Sequence, residues 1–409
     1  MKQDADIVIA GGGLNGPALA LALAIGGLRV VVVDARVSAA RAEVGFDGRA
    51  YALSIASKRL MQGIGVWEAV EGKVQPILKI KASDGLVGVG PSPFHLSFDS
   101  DELEEGPMGF MLEDRHLYGA FLEAMQAEER ITLISGDTVV GQEGDAQGVL
   151  VRLGSGRDMR ARLLVGCDGR GSGVAARAGI ARVGWGYGQT ALVTAVAHEG
   201  DHGGTAQQFF MPGGPLAILP LKGGHRSQIV WSETSDAAQA IQKLHDADYL
   251  AALRPRIGDY LGEVTLAGAR FTYPLSLSLA QSYVAARVAL VGDAAHGVHP
   301  VAGQGLNMGL RDVGALAQVV IEALRRGEDF GGADVLGRYQ HWRRFDAMAL
   351  ALGMDTVNRL FSNDNPLLRM GRDLGMGLVS AVPGLRRRFM RQAAGLTGDV
   401  PRLLAGKAI

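Results

Sequence analysis

Between residues 6 and 34 the chain has little freedom in what it can become. Asp6 to Ala10 is a short apolar run, and Gly11, Gly13 and Gly16 follow in Gly-x-Gly-x-x-Gly spacing. Pro17 to Ile25 is an apolar helical stretch, and Leu28 to Val33 is a second apolar run that ends at Asp34. Strand, glycine turn, helix, strand and acid in that order form the dinucleotide-binding fingerprint in the context it requires. Gly11 permits the tight turn. Gly13 lets the backbone approach a pyrophosphate, and Gly16 lets the helix pack close to the sheet. Asp34 lies eighteen positions after Gly16, right for a ribose hydroxyl. Pro17 falls in the first helical turn, where its missing N–H costs little. The alternative, a glycine turn with no ligand, explains the spacing but not the acid.

A second stretch, residues 290–310, has the same logic. Val288 to Val291 reads as a buried strand that ends at Gly292-Asp293. A loop with Pro300, Gly303 and Gly305 follows, and from Leu306 the apolar positions Leu306, Leu310, Val313, Leu316 and Ala317 recur with helical period. One carboxylate thus stands at a strand tip, able to accept hydrogen bonds from sugar-like hydroxyls. A helix N-terminus with free N–H groups opens about a dozen residues later and can hold partial negative charge.

Composition removes several classes. A net charge of −1 gives no basic surface for nucleic acid. The single cysteine, Cys167, excludes an internal disulfide framework and a cysteine metal cluster; after an apolar strand it reads as a small buried hydrophobe. His296 and His299 have i, i+3 spacing but no further ligand nearby, so no metal is expected. The start enters a strand without a basic n-region, and no apolar run reaches ~18 residues. A cytoplasmic location follows as an expectation.

In chain order, Ile55 to Ile64 reads as a helix, and residues 76–112 as strands with exposed loops and an acidic run, Asp99 to Glu105. Asp114 is the expected N-cap of a helix Arg115 to Glu128. Four short strands follow, Ile131 to Ile134, Thr138 to Val140, Val149 to Leu153 and Leu163 to Val165, with Gly154-Ser155-Gly156 as the turn between the last two. From Gly188 to Arg270 the pattern becomes an antiparallel sheet with a helical region, Ala237 to Leu261, divided at Pro255; Glu263 to Thr272 is its last strand. After Gly331 the chain reads as helical to the end, with breaks at Asn363 to Pro366 and at Pro383-Gly384.

Three motifs therefore stand in order: Gly11-x-Gly13-x-x-Gly16, then Cys167-Asp168-Gly169-x-x-Ser172, then Gly292-Asp293-Ala294-Ala295-His296 with Pro300 and Gly303-Gln304-Gly305-x-Asn307. Together they resemble the FAD-dependent aromatic hydroxylases, the class A flavoprotein monooxygenases, over nearly the whole chain. Within that family the details look like the ubiquinone-biosynthesis hydroxylases. They are Asp47-Gly48-Arg49-Ala50-x-Ala52-Leu53-Ser54, the block His299 to Asp312, and the tail Arg391-Gln392-Ala393-Ala394-Gly395-Leu396. One departure stands out: seven positions after Asp168, where the family often has arginine, this chain has Ala175.

The resemblance implies an α/β fold. A discontinuous Rossmann-like FAD-binding domain would comprise residues 1–75, 106–187 and 272–345. An inserted antiparallel substrate domain would comprise 76–105 and 188–271, with a helical region from 346 to 409. It implies reduction of bound FAD by NAD(P)H, reaction with O2, and oxygen transfer from a flavin C4a-hydroperoxide to an electron-rich phenol ring. Gly11, Gly13 and Gly16 would hold the pyrophosphate, Asp34 the adenosine ribose, and Asp293 the ribityl chain. Arg115 matches the family's flavin-contacting arginine, and Arg49 also reaches toward the cofactor. Amides at Gly305, Leu306 and Asn307 would face the flavin pyrimidine edge, and Pro300 would line the oxygen-reaction side. Asp168 belongs by resemblance to the cofactor and nicotinamide region, with a structural turn acid as the alternative.

The implied substrate is a polyprenylated phenol lying between the flavin and the inserted sheet, near Leu219-Pro220-Leu221 and Phe271 to Pro274. The implied partners are a ubiquinone-biosynthesis enzyme complex and the periphery of the inner membrane. For the latter, Leu385, Phe389, Ala393 and Leu396 would form one face of a basic helix bearing Arg386, Arg387, Arg388 and Arg391; a solvated basic face is the plainer reading. Rivals are a class A monooxygenase for a small phenol or polyketide, a flavin-free scaffold that binds a protein, and a flavoprotein reductase.

Overall fold

A computed structural model describes residues 3–37, 45–86, 90–102, 104–298, 303–361 and 382–409. At its centre is a six-stranded sheet in the order Val284–Ala285, Val288–Leu290, Leu163–Gly166, Ile7–Ala10, Val30–Asp34, Ile131–Ser135. Every neighbouring pair is parallel except the short edge pair, Val284–Ala285 with Val288–Leu290. Ile7–Ala10, Val30–Asp34 and Leu163–Gly166 are buried at every position, as continuous apolar runs require in a parallel sheet covered on both faces. The chain leaves Ile7–Ala10 toward one neighbour and returns much later to the other. The strand order thus reverses beside Gly11, where such sheets bind ligands. Helices Asn15–Ile25, Asp114–Ala127 and Gln304–Arg325 pack against this sheet and each other.

The turn at Gly154 to Gly156 leads not into Leu163–Gly166 but into an additional strand, Asp158–Ala161. Arg157, Asp158 and Arg160 hide that strand in the sequence, while Met159 and Ala161 point inward and are buried. Leu163–Gly166 belongs to the parallel sheet instead.

The inserted sheet has nine strands. Its main path is His296–Gly297, Phe271–Ala280, Arg182–His198, Arg226–Thr234, Gly214–Leu221, Thr205–Met211, Lys79–Leu86, Gly90–Asp99, with Val264–Leu266 beside Arg182–His198. One pair is parallel, Thr205–Met211 with Lys79–Leu86, and it attaches the early segment to the later one. Arg182–His198 and Phe271–Ala280 run straight across the expected divisions at 187/188 and 271/272, paired from Arg182↔Ala280 to Val193↔Phe271. This two-stranded ribbon carries the inserted sheet into the nucleotide domain.

Helices Ser235–Gln242 and Asp246–Ile257 cover one face of the sheet through Trp231, Tyr249, Leu253 and Leu261. They divide before Asp246, not at Pro255. Pro255 lies in the last turn, just ahead of Gly258 at φ 67°, so the i−4 bond it removes is close to where the helix ends in any case. The expected strand Glu263 to Thr272 is two strands, interrupted where Gly268 and Ala269 meet the Asp47-Gly48 turn.

Ala333–Phe361 is one long helix, and Pro383 opens a second, Pro383–Ala393, at its N-terminal turn. The expected break at Asn363 to Pro366 lies outside the described residues. Residues 394–409 are turns, not helix, with Gly395, Gly398 and Gly406 at positive φ and Pro401 between them.

Candidate functional site

At the first glycine turn the backbone is confined on one side and open on the other. Gly11 has φ 108°, and a Cβ there would lie 2.3 Å from the Cys167 carbonyl oxygen. At Gly16 a Cβ would meet the Gly11 carbonyl oxygen at 1.9 Å, whereas at Gly13 nothing lies within 4 Å. The helix that follows has no side-chain cap at Leu14 and no acid in its first turn, so its amides are left for an anion. Asp34 is buried. Its Oδ1 accepts from the Arg36 N–H at 3.1 Å, but its Oδ2 is buried with no partner among the described residues. That orphaned oxygen fits a ribose hydroxyl.

Asp293 sits in a short turn, Gly292–Ala294, whose Gly292 has φ 64°. Its carboxylate is half exposed, 3.3 Å from Arg170 Nε. Behind the turn Asp312 is fully buried and accepts from Gly292 N at 3.0 Å, His296 Nε2 at 2.5 Å and Arg343 Nε at 2.8 Å. Burial alone would raise the Asp312 pKa, but His296 and Arg343 outweigh it and hold the carboxylate below its ordinary value. Arg343 is in turn bound to Asp346 at 2.5 Å. A charged residue far along the chain thus fixes the turn that presents Asp293.

Helix Gln304–Arg325 begins at Gly303, in the left-handed region at φ 62°, with no side-chain cap and no acid in its first turn. Its first amides, including those of Gly305 and Leu306, have no partner within the helix by geometry. Asn307 is a clip. Its Oδ1 accepts from Ser54 N at 2.9 Å and Ser57 Oγ at 2.7 Å, and its Nδ2 donates to Ala52 O at 2.8 Å and Gly303 O at 3.2 Å. This places the helix start against the Ala50–Leu53 strand. Pro300 lies outside the described residues, as does His299.

The two expected arginines are held by carboxylates. Arg49 binds Asp47 at 2.7 Å and Asp114 at 3.4 Å and lies over the Phe271 ring. Arg115 binds Glu113 at 2.7 Å, and Glu113 also takes Arg226 of the inserted sheet at 3.2 Å. Asp114 is not the N-cap: Glu113 occupies the cap position of Asp114–Ala127, and Asp114 lies inside the first turn facing Arg49. Asp168 is taken up by its own turn. Oδ1 accepts from Ser172 Oγ at 2.6 Å and Oδ2 from Val174 N at 3.1 Å. Cys167 lies against the core, and burial pushes its thiol pKa well up. The described residues contain no cluster of three or more potential metal ligands.

Facing Ala50 and Ala52 across the domain boundary is an apolar cluster of Ile80, Phe98, Ala195, Leu219 and Leu221, closed by Met390 of the C-terminal helix. That helix is pinned by Arg386 to Glu102 at 2.7 Å and by Arg391 to Glu105 at 2.6 Å. Leu385 is half-buried and Ala393 exposed, so the face expected for a membrane surface is turned largely outward. Met390 is the buried residue, whereas Phe389 is 52% exposed beside exposed Arg387 and Arg388. Sequence reasoning missed Met390, Asp312, Arg343 and Glu113. Asp312 alone carried a signal, as a lone acid on the buried face of an apolar helix.

An open glycine turn with an uncapped helix, an orphaned acid at a strand tip and a second uncapped helix facing them make a site for an elongated dinucleotide. The residues present fit FAD. The chain matches the FAD binding domain family model over residues 4–351, and it belongs to the FAD-dependent aromatic hydroxylases. It is 44% identical over 405 residues to the ubiquinone hydroxylase UbiL of Rhodospirillum rubrum, covering 98% of this chain and 93% of that one. It is 36% identical over 400 residues to the 3-demethoxyubiquinol 3-hydroxylase of Escherichia coli, covering 97% of this chain and all of that one (100%). In fold it is similar to p-nitrophenol 4-monooxygenase PnpA of Pseudomonas putida, with TM-score 0.81, 20% identity, and 98% and 100% of the two chains covered.

Proposed function

We propose that this chain hydroxylates the aromatic ring of a polyprenylated phenol in ubiquinone biosynthesis, consuming NAD(P)H and O2 and releasing water. The observation that carries the reading is the apolar cluster between the Ala50–Leu53 strand and the inserted sheet. Ile80, Phe98, Leu219 and Leu221 give this boundary an apolar surface, which suits an isoprenoid phenol better than a small phenolic acid, which would want a carboxylate clamp. The relatives named above point the same way.

When bound, FAD supplies the redox chemistry, accepting reducing equivalents from the nicotinamide and activating O2 for transfer to the ring. The protein's part is placement and dryness. Gly11, Gly13 and Gly16 would hold the pyrophosphate, Asp34 the ribose and Asp293 the ribityl hydroxyls. The free amides at the start of Gln304–Arg325, those of Gly305 and Leu306 with Asn307 just behind them, would offer donors to the flavin's pyrimidine edge. Arg49 and Arg115 stand at the domain boundary, each already paired with a carboxylate, so they bring directed donors more than net charge. Asp168 serves this site by shaping the turn after Leu163–Gly166. The substrate ring approaches from Leu219 and Leu221.

The test is mass spectrometry of quinone precursors in a strain lacking the chain. An under-hydroxylated prenylphenol should accumulate, and normal ubiquinone without it would end the pathway assignment. For location, no helix among the described residues is long and apolar enough to cross a membrane. We place the chain in the cytoplasm against the inner membrane, as part of a biosynthetic complex. Exposed Val382 and Phe389 beside Arg387 and Arg388 support the membrane contact. Salt-sensitive binding to anionic vesicles, lost in Arg387→Gln/Arg388→Gln, is expected; no binding at low salt would refute it.

A further inference from the structure

Asn15 is the first residue of helix Asn15–Ile25, directly after the pyrophosphate turn. Its side chain reaches across to the other half of the site. A Cβ on Gly292, the neighbour of Asp293, would lie 2.2 Å from Asn15 Nδ2. A Cβ on Gly309, one turn into helix Gln304–Arg325, would lie 2.4 Å from Nδ2 and 2.6 Å from Oδ1. Two glycines therefore make room for one carboxamide wedged between three elements. Each of these elements carries an expected cofactor contact: the glycine turn, the Asp293 turn and the helix whose amides face the flavin. The wedge is not there for its own hydrogen bonds, because Asn15 Oδ1 is buried with no partner among the described residues. A buried carbonyl oxygen left unpaired is costly, and it persists where something outside the chain completes it.

We infer that Asn15 is a positioning residue for the cofactor, setting the distance between the pyrophosphate turn and the ribityl-binding turn and offering its Oδ1 to a donor hydroxyl or an ordered water of the bound dinucleotide. The inference rests on FAD being the ligand. Apoprotein is prepared, and FAD affinity is measured by flavin fluorescence quenching for wild type, Asn15→Ala, Asn15→Ser, Gly309→Ala and the Asn15→Ala/Gly309→Ala double variant. The apoprotein melting midpoint and the fine structure of the bound-flavin absorption band are recorded for each.

Asn15→Ala should bind FAD about tenfold more weakly, the loss of one hydrogen bond and its register, with an apoprotein midpoint near wild type. Asn15→Ser, which keeps an oxygen acceptor, should recover part of the loss. Gly309→Ala should weaken FAD binding and alter the bound-flavin band, and removing the amide in the double variant should relieve both, because the methyl then has space. Asn15→Ala within twofold of wild type, or a double variant no better than Gly309→Ala alone, would overturn the inference. Wild type that takes up no FAD would overturn the family reading instead. Should Asn15→Ala not fold, the comparison of Asn15→Ser with Gly309→Ala decides in the same way.

Discussion

Replacing Asp34 by asparagine should separate folding from cofactor binding, moving them in opposite directions or moving only one. In the protein alone, Asp34 is a buried carboxylate that uses one oxygen, Oδ1, on the Arg36 N–H, while Oδ2 has no partner. Its ion pair with Arg36 is long, 3.9 Å, to a guanidinium that is 57% exposed, so it contributes little. Asparagine keeps an oxygen for the Arg36 N–H and gives up little else, so the apoprotein midpoint should stay level or rise. On the proposed reading, the same oxygen accepts a ribose hydroxyl in the complex. A hydrogen bond to a charged acceptor is worth about 1.5–3 kcal/mol, so FAD affinity should fall roughly 10- to 150-fold. Titration of stripped protein with FAD, followed by fluorescence quenching, measures the second quantity, and thermal melting of the same samples the first. Affinity unchanged within twofold, with the apoprotein intact, would refute the assignment of Oδ2 to the ribose. A large fall in the apoprotein midpoint would refute the claim that the free oxygen is waiting for a ligand.

Asp312→Asn should be far more damaging to stability, because it leaves buried Arg343 and His296 without their carboxylate; a loss of about 3–5 kcal/mol is expected in urea unfolding. The folded pKa of Asp312 is lowered, so its contribution is present above the unfolded value of ~3.9 and is lost as pH falls through the folded value. Acid unfolding below pH ~4 should accordingly be shallower in the variant than in wild type. Cys167 should not react with a thiol reagent at mildly alkaline pH until denaturant is added, since burial raises its pKa; prompt native reaction would contradict its placement. Glu102→Gln/Glu105→Gln should speed amide exchange in Pro383–Ala393 a few-fold, in keeping with pairs worth about 0–1 kcal/mol each, with a smaller effect at high salt.

What the sequence revealed was local. The parallel strands were legible because they are unbroken apolar runs, and the glycine turn because its spacing is dictated by a single backbone geometry. Asp34 and Asp293 were legible as acids at strand tips. Contacts that join distant segments were not. Nothing near Asp312 announces Arg343, thirty-one residues on, and nothing near Glu113 announces Arg226. Charged strands such as Asp158–Ala161 escaped because only alternate residues face inward. The outward apolar face of Pro383–Ala393 was legible in its spacing, whereas inward-facing Met390 and the ion pairs of Arg386 and Arg391 were not. Asn307 was found for its backbone amide, while its side chain proved to do the tethering.

The turns after Ala393 close over helix Gln304–Arg325. Arg311 donates to Thr397 O at 2.7 Å, and Leu404 fills the space that a side chain at Gly314 would need, 2.3 Å from that missing Cβ. During synthesis, then, the helix leaves the ribosome about eighty residues before the segment that braces it. The nascent chain should be unable to retain its prosthetic group until translation is nearly over, and a premature stop codon after Ala393 should yield colourless protein even though every residue proposed to contact the cofactor has been made.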